Sequence, residues 1–351
     1  MRYRLLGRSG LRVSELCLGT MTFGEDWGWG ASREESRRMF DAFAEAGGNF
    51  IDTANRYTNG TSERLVGEFT AADRERFVIA TKYTLYTRRD HPNAGGNHRK
   101  SLVEAVEASL RRLQTHYLDV LWVHAWDFLT PVEEVMRALD DLVRAGRVLY
   151  VGVSDTPAWI VARANTLAEL RGWTPFVGLQ IEYSLIERTV ERELIPMAES
   201  LELAIAAWAP LGGGVLSGKY NPAERGKRAG EPTRIDPDAP GQRLTGRNLR
   251  IAEEVVSVAA AAGRTPSQVA LAWLRGRGDL VIPVLGARSV KQLSDNLGCL
   301  EFDLGAEERA RLDGASHVER GFPYEFLERE DIRDYVYGGF RGRIEDRRRR
   351  G

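Results

Sequence analysis

The sequence predicts one eight-stranded α/β barrel, a (β/α)8 TIM barrel, on two observations. Eight short apolar runs rich in β-branched residues recur along the 351 residues, each followed by a longer stretch whose apolar residues repeat at three- and four-residue spacing. Eight strands each followed by a helix fit a closed parallel barrel better than an open sheet, and the length suits one such barrel with insertions.

The elements follow in order. Tyr3 to Leu5, a turn near Gly7 to Gly10 and Leu11 to Val13 are expected to form an N-terminal β-hairpin over the barrel floor. Leu16 to Gly19 is then the first strand, with its helix over Glu34 to Ala46. Phe50 to Asp52 pairs with a helix over Ser62 to Phe69, and Phe77 to Lys82 with one over Lys100 to Leu113. Leu118 to His124 precedes Val132 to Ala145, and Val148 to Ser154 precedes Ala158 to Arg171. Val177 to Glu182 is followed by Glu191 to Ser200. Leu203 to Ala209 is followed by Leu249 to Ala262 and Pro266 to Arg275, and Val281 to Val284 by Val290 to Leu297. Ser32, Ser62 and Thr265 stand where helix caps are expected, with Pro266 supplying the preset φ of a first helical turn. Residues 221 to 247, rich in Pro, Gly, Arg and Asp, read as a long loop. The barrel is expected over about residues 14–300 and a C-terminal extension over about 301–351, ending in a solvated tail at Arg347 to Arg350.

Charge and composition narrow the function classes. The 49 basic and 50 acidic residues leave a net charge of -1, so no global field draws the chain to nucleic acid or to an anionic membrane; a small-molecule partner is expected. The longest apolar runs are far shorter than a membrane span, and arginines interrupt the start of the chain where a secretory signal would need an apolar core, so a cytoplasmic protein is expected. Cys17 and Cys299 are the only cysteines, too few for a disulfide framework, and no Cys-x-x-Cys pair offers a metal site. Oligomeric state leaves no mark in the periodicity.

In such a barrel the chemistry sits at the carboxyl ends of the strands. Asp52 ends the second strand, Tyr57 follows in its loop, Lys82 ends the third and His124 the fourth. Each closes an apolar run, where an unpartnered buried charge would cost several kcal/mol, so the simplest resolution is that the four face one another. Together they describe a tyrosine acid: Lys82 stabilises the phenolate and lowers the Tyr57 pKa, Asp52 fixes Lys82, and His124 donates to a substrate oxygen or assists proton transfer. Reduction of a carbonyl needs such an acid, because hydride addition creates an alkoxide that must be protonated.

At these residues the chain resembles the aldo-keto reductase family, in the group that includes potassium-channel beta subunits. The resemblance is carried by Gly19, Thr20, Met21, Phe23 and Gly24; by Phe50 to Ala54 with Tyr57; by Ala80 to Lys82; and by Val123 to Asp127. It continues through Arg147, Tyr150 to Ser154, Gln180, Glu182, Tyr183, Trp208 to Leu211, Gly213, Gly214, Leu216 and Gly218 to Tyr220. Pro283, Gly286, Arg288, Gln292, Leu293 and Asn296 complete it, so that it covers roughly residues 3 to 300. It implies the barrel, a nicotinamide cofactor extended across the strand ends, and the tetrad Asp52, Tyr57, Lys82 and His124.

The resemblance also implies cofactor contacts. Ser154 and Gln180 would bond the nicotinamide carboxamide and Trp208 would stack on its ring, with Gly19, Thr20, Met21, Asp52, Pro210 and Gly286 beside them. Leu211, Gly213, Gly214, Gly218 and Lys219 would lie along the pyrophosphate, where missing side chains permit close approach. Arg288, Gln292 and Asn296 would hold the adenosine end, and the charge of Arg288 suits a 2'-phosphate, which favours NADPH (NADP+). Asp155 departs from the family's usual Asn: it can accept a hydrogen bond from the carboxamide but not donate one.

Two other nucleotide motifs fail. Gly213, Gly218 and Lys219 imitate a P-loop, but Tyr220 stands where Mg²⁺ binding needs Ser or Thr, and no early Gly-x-Gly-x-x-Gly follows a strand. The expected activity is therefore NADPH-dependent reduction of an aldehyde or ketone with Tyr57 as general acid. The alternatives are an NADP(H)-binding redox-sensing subunit and a biosynthetic sugar-nucleotide or enone reductase. Trp27, Tyr86 and Trp126, with Tyr57 and His124, are expected to line the substrate pocket, and Trp29 and Phe128 are further wall candidates. Arg88, Arg89 and His91 lie in a stretch that could meet a polar or anionic substrate group.

Overall fold

A computed structural model describes residues 1–221 and 243–345. The predicted loop over 221 to 247 falls mostly outside these residues, as does the arginine run from Arg347 to Arg350.

Strands β1 (Tyr3–Leu5) and β2 (Arg12–Ser14) form the antiparallel hairpin, with Tyr3 opposite Ser14. Eight parallel strands then close on themselves: β3 (Cys17–Gly19), β4 (Phe50–Asp52), β5 (Val78–Tyr83), β6 (Leu118–Val123), β7 (Val148–Ser154), β8 (Phe176–Glu182), β9 (Ala204–Trp208) and β10 (Val281–Leu285). Pairing of Val284 with Cys17 seals the ring. These strands read as almost unbroken apolar runs because both faces are buried, one against the lumen and one against helices. In β6, Val120 and Trp122 turn into the lumen while Leu121 and Val123 join the outer core.

Leu6 and Val13 of the hairpin are fully buried among the lumen side chains Cys17, Phe50, Val78 and Ile282, so the hairpin stops the amino-terminal mouth of the barrel. Its turn is pressed onto the strand ends: at Gly7 (φ +57) a Cβ would stand 2.2 Å from the Val177 carbonyl oxygen, which only glycine allows.

Helices α1 (Arg33–Glu45), α2 (Thr61–Thr70), α3 (Arg99–Leu113), α4 (Val132–Arg144), α5 (Ala158–Arg171), α6 (Leu194–Ser200), α7 (Gly246–Ala262), α8 (Pro266–Arg275) and α9 (Val290–Leu297) surround the strands. Ser32 accepts from the Glu35 amide, and Thr265 forms a reciprocal box with Gln268 ahead of Pro266. Ser62 behaves differently from the expected cap. Gly60 occupies the cap position, and the Ser62 hydroxyl instead lies inside the first turn, within 2.9 Å of the hydroxyls of Thr20 and Thr53, tying α2 to the ends of β3 and β4. The helix expected from Glu191 begins only at Leu194, after a separate 3₁₀ turn, Thr189–Glu191. Pro196 lacks an amide hydrogen and so sits in the first turn, where none is needed.

The C-terminal extension carries three helices, α10 (Ala306–Ala315), α11 (Tyr324–Glu328) and α12 (Glu330–Tyr337). Leu312 buries α10, while Asp313 accepts from the Trp273 indole at 3.1 Å and pairs with Arg188 at 3.1 Å. No helix among the described residues is long and apolar enough to cross a membrane.

Trp122 fills the lumen below the strand ends, and two glycines make room for it. A Cβ at Gly152 would stand 2.3 Å from its six-membered ring, and one at Gly178 2.9 Å. Gly152 and Gly178 are register partners, two residues before the pair Ser154 and Gln180. Gly152→Ala is expected to lower stability by about 1–3 kcal/mol through overpacking. Denaturant unfolding checks this against Gly10→Ala, where a Cβ meets nothing within 4 Å.

Candidate active site

All eight barrel strands, or the residues directly after them, contribute to one cavity of about 900 Å³ at the carboxyl-terminal face. Gly19, Asp52, Ser154, Gln180, Trp208 and Leu285 come from the strands, and Leu85 and His124 from just beyond them. Among the described residues, six of the eight non-glycine positions with positive φ lie in the loops that follow the strands at this face: Thr58, Asn59, Thr84, Phe128, Asp155 and Ala209. Strained backbone collects where loops must turn sharply to aim side chains inward.

At the centre is Lys82, whose side chain is fully buried. Its ammonium donates to Asp52 Oδ2 at 2.5 Å, to the Thr53 carbonyl at 2.8 Å and to Tyr57 Oη at 3.1 Å. An ammonium has three N–H groups and no acceptor, so this set uses all three. Tyr57 Oη is therefore the acceptor in its contact with Lys82, and its own hydrogen is left to point elsewhere. The second oxygen of Asp52 accepts from Gln180 Nε2 at 2.9 Å. Tyr57 is held by the turn that follows it: Thr58 takes φ 43, donates its hydroxyl to the Phe23 carbonyl at 2.7 Å and accepts from the Ser62 amide.

His124 meets the Tyr57 ring edge-on, with centroids 6.0 Å apart and planes at 83°. Its Nδ1 is buried without a hydrogen-bond partner among the described residues. Burial, with Lys82 nearby, pushes its pKa down to about 3, so the imidazole is neutral near pH 7. For Lys82, burial opposes the charge but Asp52 and Tyr57 outweigh it, and the pKa rises to about 12. The Tyr57 phenol departs from the sequence-based expectation: burial raises its pKa and outweighs the lowering by Lys82. Tyr57 is thus a protonated phenol at neutral pH, a filled donor with a cation beside it to receive the charge left behind.

The remaining predicted residues divide clearly. Met21, Trp27, Asp155, Pro210, Leu211, Gly213, Gly214, Lys219, Gly286, Arg288, Gln292 and Asn296 line the cavity. Asp155 Oδ1 accepts from the Trp208 indole at 3.1 Å. Thr20 does not line it; fully buried, its hydroxyl donates to the Asp52 carbonyl at 2.9 Å and supports that strand end. Gly218 ends the turn over Gly212–Ser217 with φ 77, facing Val256.

The aromatic wall was misplaced in part. Trp126 is buried in the outer core, because Asn97 and Asp127 exchange backbone-to-side-chain bonds at 2.7 Å that pull its loop against the helices. Tyr86 is replaced at the wall by Leu85, since Thr84 takes φ 95 and breaks the strand's alternation. Trp29 packs on Trp27 at 5.7 Å, and Phe128 is exposed.

Arg56, Arg243, Thr265, Lys291 and Asp295 line the cavity without having been singled out. Adjacency to Tyr57 was the available signal for Arg56. Thr265 was readable only as a helix cap; its hydroxyl also donates to Asp295 at 3.1 Å.

The site has the shape and donor set to hold a nicotinamide dinucleotide. Gln180 has its amide nitrogen committed to Asp52, which leaves its oxygen, with Asp155, as acceptors for a carboxamide, and the Ser154 hydroxyl is hydrogen-bonded to Asp155. Gly212, Gly213 and Gly214, with φ between 57 and 96, bring backbone close to whatever lies over them. Arg288 and Lys291 stand with the amino-terminal turn of α9, where Ser289 caps the Gln292 amide, a setting suited to a phosphate.

Comparison with known proteins agrees with this architecture. Residues 15–317 match the model described as "Aldo/keto reductase family". The chain is 41% identical over 336 residues to norsolorinic acid reductase of Aspergillus flavus, covering 93% of this chain and 84% of that one. It is 43% identical over 329 residues to norsolorinic acid reductase stcV of Emericella nidulans, covering 91% and 82%. To the aryl-alcohol dehydrogenase [NADP(+)] of Phanerodontia chrysosporium it is 38% identical over 330 residues, covering 90% and 86%.

Proposed function

The chain belongs to the aldo/keto reductase family, whose members are oxidoreductases that use nicotinamide cofactors, and from that premise we propose that it reduces an aromatic aldehyde or ketone to the alcohol with NADPH, Tyr57 acting as general acid. The observation that carries this reading is the bonding at Lys82: its three donations make Tyr57 Oη an acceptor there and leave the phenol hydrogen for a substrate oxygen.

The bound cofactor supplies hydride to the carbonyl carbon. Tyr57 gives its proton to the carbonyl oxygen as negative charge develops there, and the Lys82 ammonium, fixed by Asp52 and Thr53, stabilises the phenolate that remains. Neutral His124, on the other flank of Tyr57, donates a hydrogen bond to the same oxygen in the tautomer that presents an N–H to the cavity. Ser154, Asp155 and Gln180 would orient the nicotinamide amide, Trp208 would stand by its ring, and the Gly213–Gly214 backbone with Lys219 would hold the pyrophosphate. Arg288 and Lys291, with Gln292 and Asn296, would hold the adenosine phosphate, which favours NADPH over NADH. An aromatic substrate is supported by Trp27 in the cavity wall and by the aryl-alcohol dehydrogenase among the relatives. One barrel domain carries both ligands. A cytoplasmic location belongs to the same proposal and is consistent with two thiols that are free and buried.

The test is cofactor oxidation, followed by absorbance with benzaldehyde and acetophenone as substrates, NADPH and NADH run in parallel. Turnover with kcat/KM at least about 10-fold higher for NADPH is expected from one additional charge-assisted phosphate contact. Tight NADPH binding without turnover would replace the reductase by a redox-sensing subunit.

A further inference from the structure

Resting on the aryl carbonyl reading above, we infer that Arg56 is a specificity residue that receives a carboxylate carried on the ring of the substrate. Arg56 lines the cavity beside Tyr57, half-buried, and makes no ion pair among the described residues. Arg243, by contrast, which lines the same cavity, pairs with Glu182 at 2.6 Å. The guanidinium of Arg56 is held by neutral groups instead. It lies 5.9 Å from the Trp27 ring and 4.9 Å from the Tyr86 ring, and donates to Asn59 Oδ1 and, at 3.4 Å, to Tyr86 Oη. Trp27 donates to the same Asn59 oxygen at 3.4 Å. Two hydrogen bonds use two of the five guanidinium N–H groups, so an oriented fork remains.

The surroundings strengthen the positive field. Arg89 lies 4.9 Å from the other contact ring, Tyr86, whose phenol is drawn below its ordinary value, first by the hydrogen bond from Arg56. Two acids of this part of the site are engaged elsewhere: Asp26 accepts from the Thr61 hydroxyl at 3.1 Å, and Asp52 accepts from Lys82 and Gln180. A planar cation fixed between aromatic faces, with donors to spare and no carboxylate partner among the described residues, matches a planar carboxylate on an aromatic ring. Tyr86 acts here through Arg56, as a positioning residue, rather than by touching the cavity.

Two measurements test this. The first compares 4-carboxybenzaldehyde with its neutral methyl ester in wild type, Arg56→Gln and Arg56→Lys. Wild type is expected to favour the acid by about 10-fold in kcat/KM, carried by KM, as a charge-assisted contact of this kind implies. The ratio should fall toward one in Arg56→Gln and lie between in Arg56→Lys, which keeps the charge but loses the fork. A wild-type ratio of one, or a preference that survives Arg56→Gln, overturns the assignment. The second, calorimetric titration of benzoate against benzamide, needs no turnover. Benzoate binding lost in Arg56→Gln upholds the carboxylate site even if neither aldehyde is reduced, in which case only the reductase reading fails. Equal binding of benzoate and benzamide to wild type overturns the site whatever the enzyme reduces.

Discussion

Tyr57→Phe is expected to lower kcat for carbonyl reduction by roughly two to four orders of magnitude, the range set by loss of a positioned acid. Only one oxygen is removed. The ring keeps its place beside His124, so KM should move much less than kcat. Lys82 loses its longest contact and retains Asp52 and the Thr53 carbonyl. The pH dependence gives the same assignment a sign. Burial raises the Tyr57 pKa, outweighing Lys82, so the phenol is protonated through neutral pH. Reduction, which consumes that proton, should stay level there and decline only as pH rises through the raised value. Alcohol oxidation needs the phenolate and should climb over the same span. Steady-state rates in both directions across alkaline pH check this, and a variant with wild-type kcat would remove Tyr57 from its role.

Lys82→Met should cost stability as well as turnover. It leaves Asp52, itself buried, with Gln180 as its one remaining side-chain partner, and breaking a buried pair from one side costs about 3–5 kcal/mol. Turnover falls because the phenolate loses its neighbouring cation. The two losses come apart in the double variant Asp52→Asn with Lys82→Met. With no charge left buried, much of the stability should return while activity does not. Urea unfolding beside single-substrate kinetics on the four proteins of this cycle makes the comparison. Activity recovered along with stability would show that the pair serves the fold alone.

Much of this was legible in the sequence because a barrel strand buried on both faces leaves an apolar run that a polar residue interrupts only at its end. Asp52, Lys82 and His124 each close such a run, and the structure brings them together around Tyr57. Where a residue's environment depends on a turn, the sequence was a poorer guide. Leu85 and Tyr86 exchange places because of a single left-handed residue, Thr84. Trp126 looked like a pocket wall until the Asn97–Asp127 exchange, across 30 residues, turned it into the core. Ser62 satisfied the local rule for a cap, yet its contacts with Thr20 and Thr53 come from other strands and could not be read from its neighbours. Arg56 was unreadable for a related reason: a lone arginine in a loop is ordinary, and what distinguishes this one is its setting between Trp27 and Tyr86 with no ion pair among the described residues.

The hairpin that stops the barrel floor also decides traffic through the molecule. With Leu6 and Val13 sealing one end, two ligands that met in the cavity would both enter from the carboxyl-terminal face of the described barrel. One seated against Asp52, Ser154 and Gln180, all nearly inaccessible, would lie deeper than one seated against Trp27 and Arg56 at the rim. The deeper occupant would have to arrive first and depart last, with the rim ligand acting as a stopper on it. The pace of a full cycle would then depend on how quickly that face clears, since the plug at the opposite end of the barrel blocks the other.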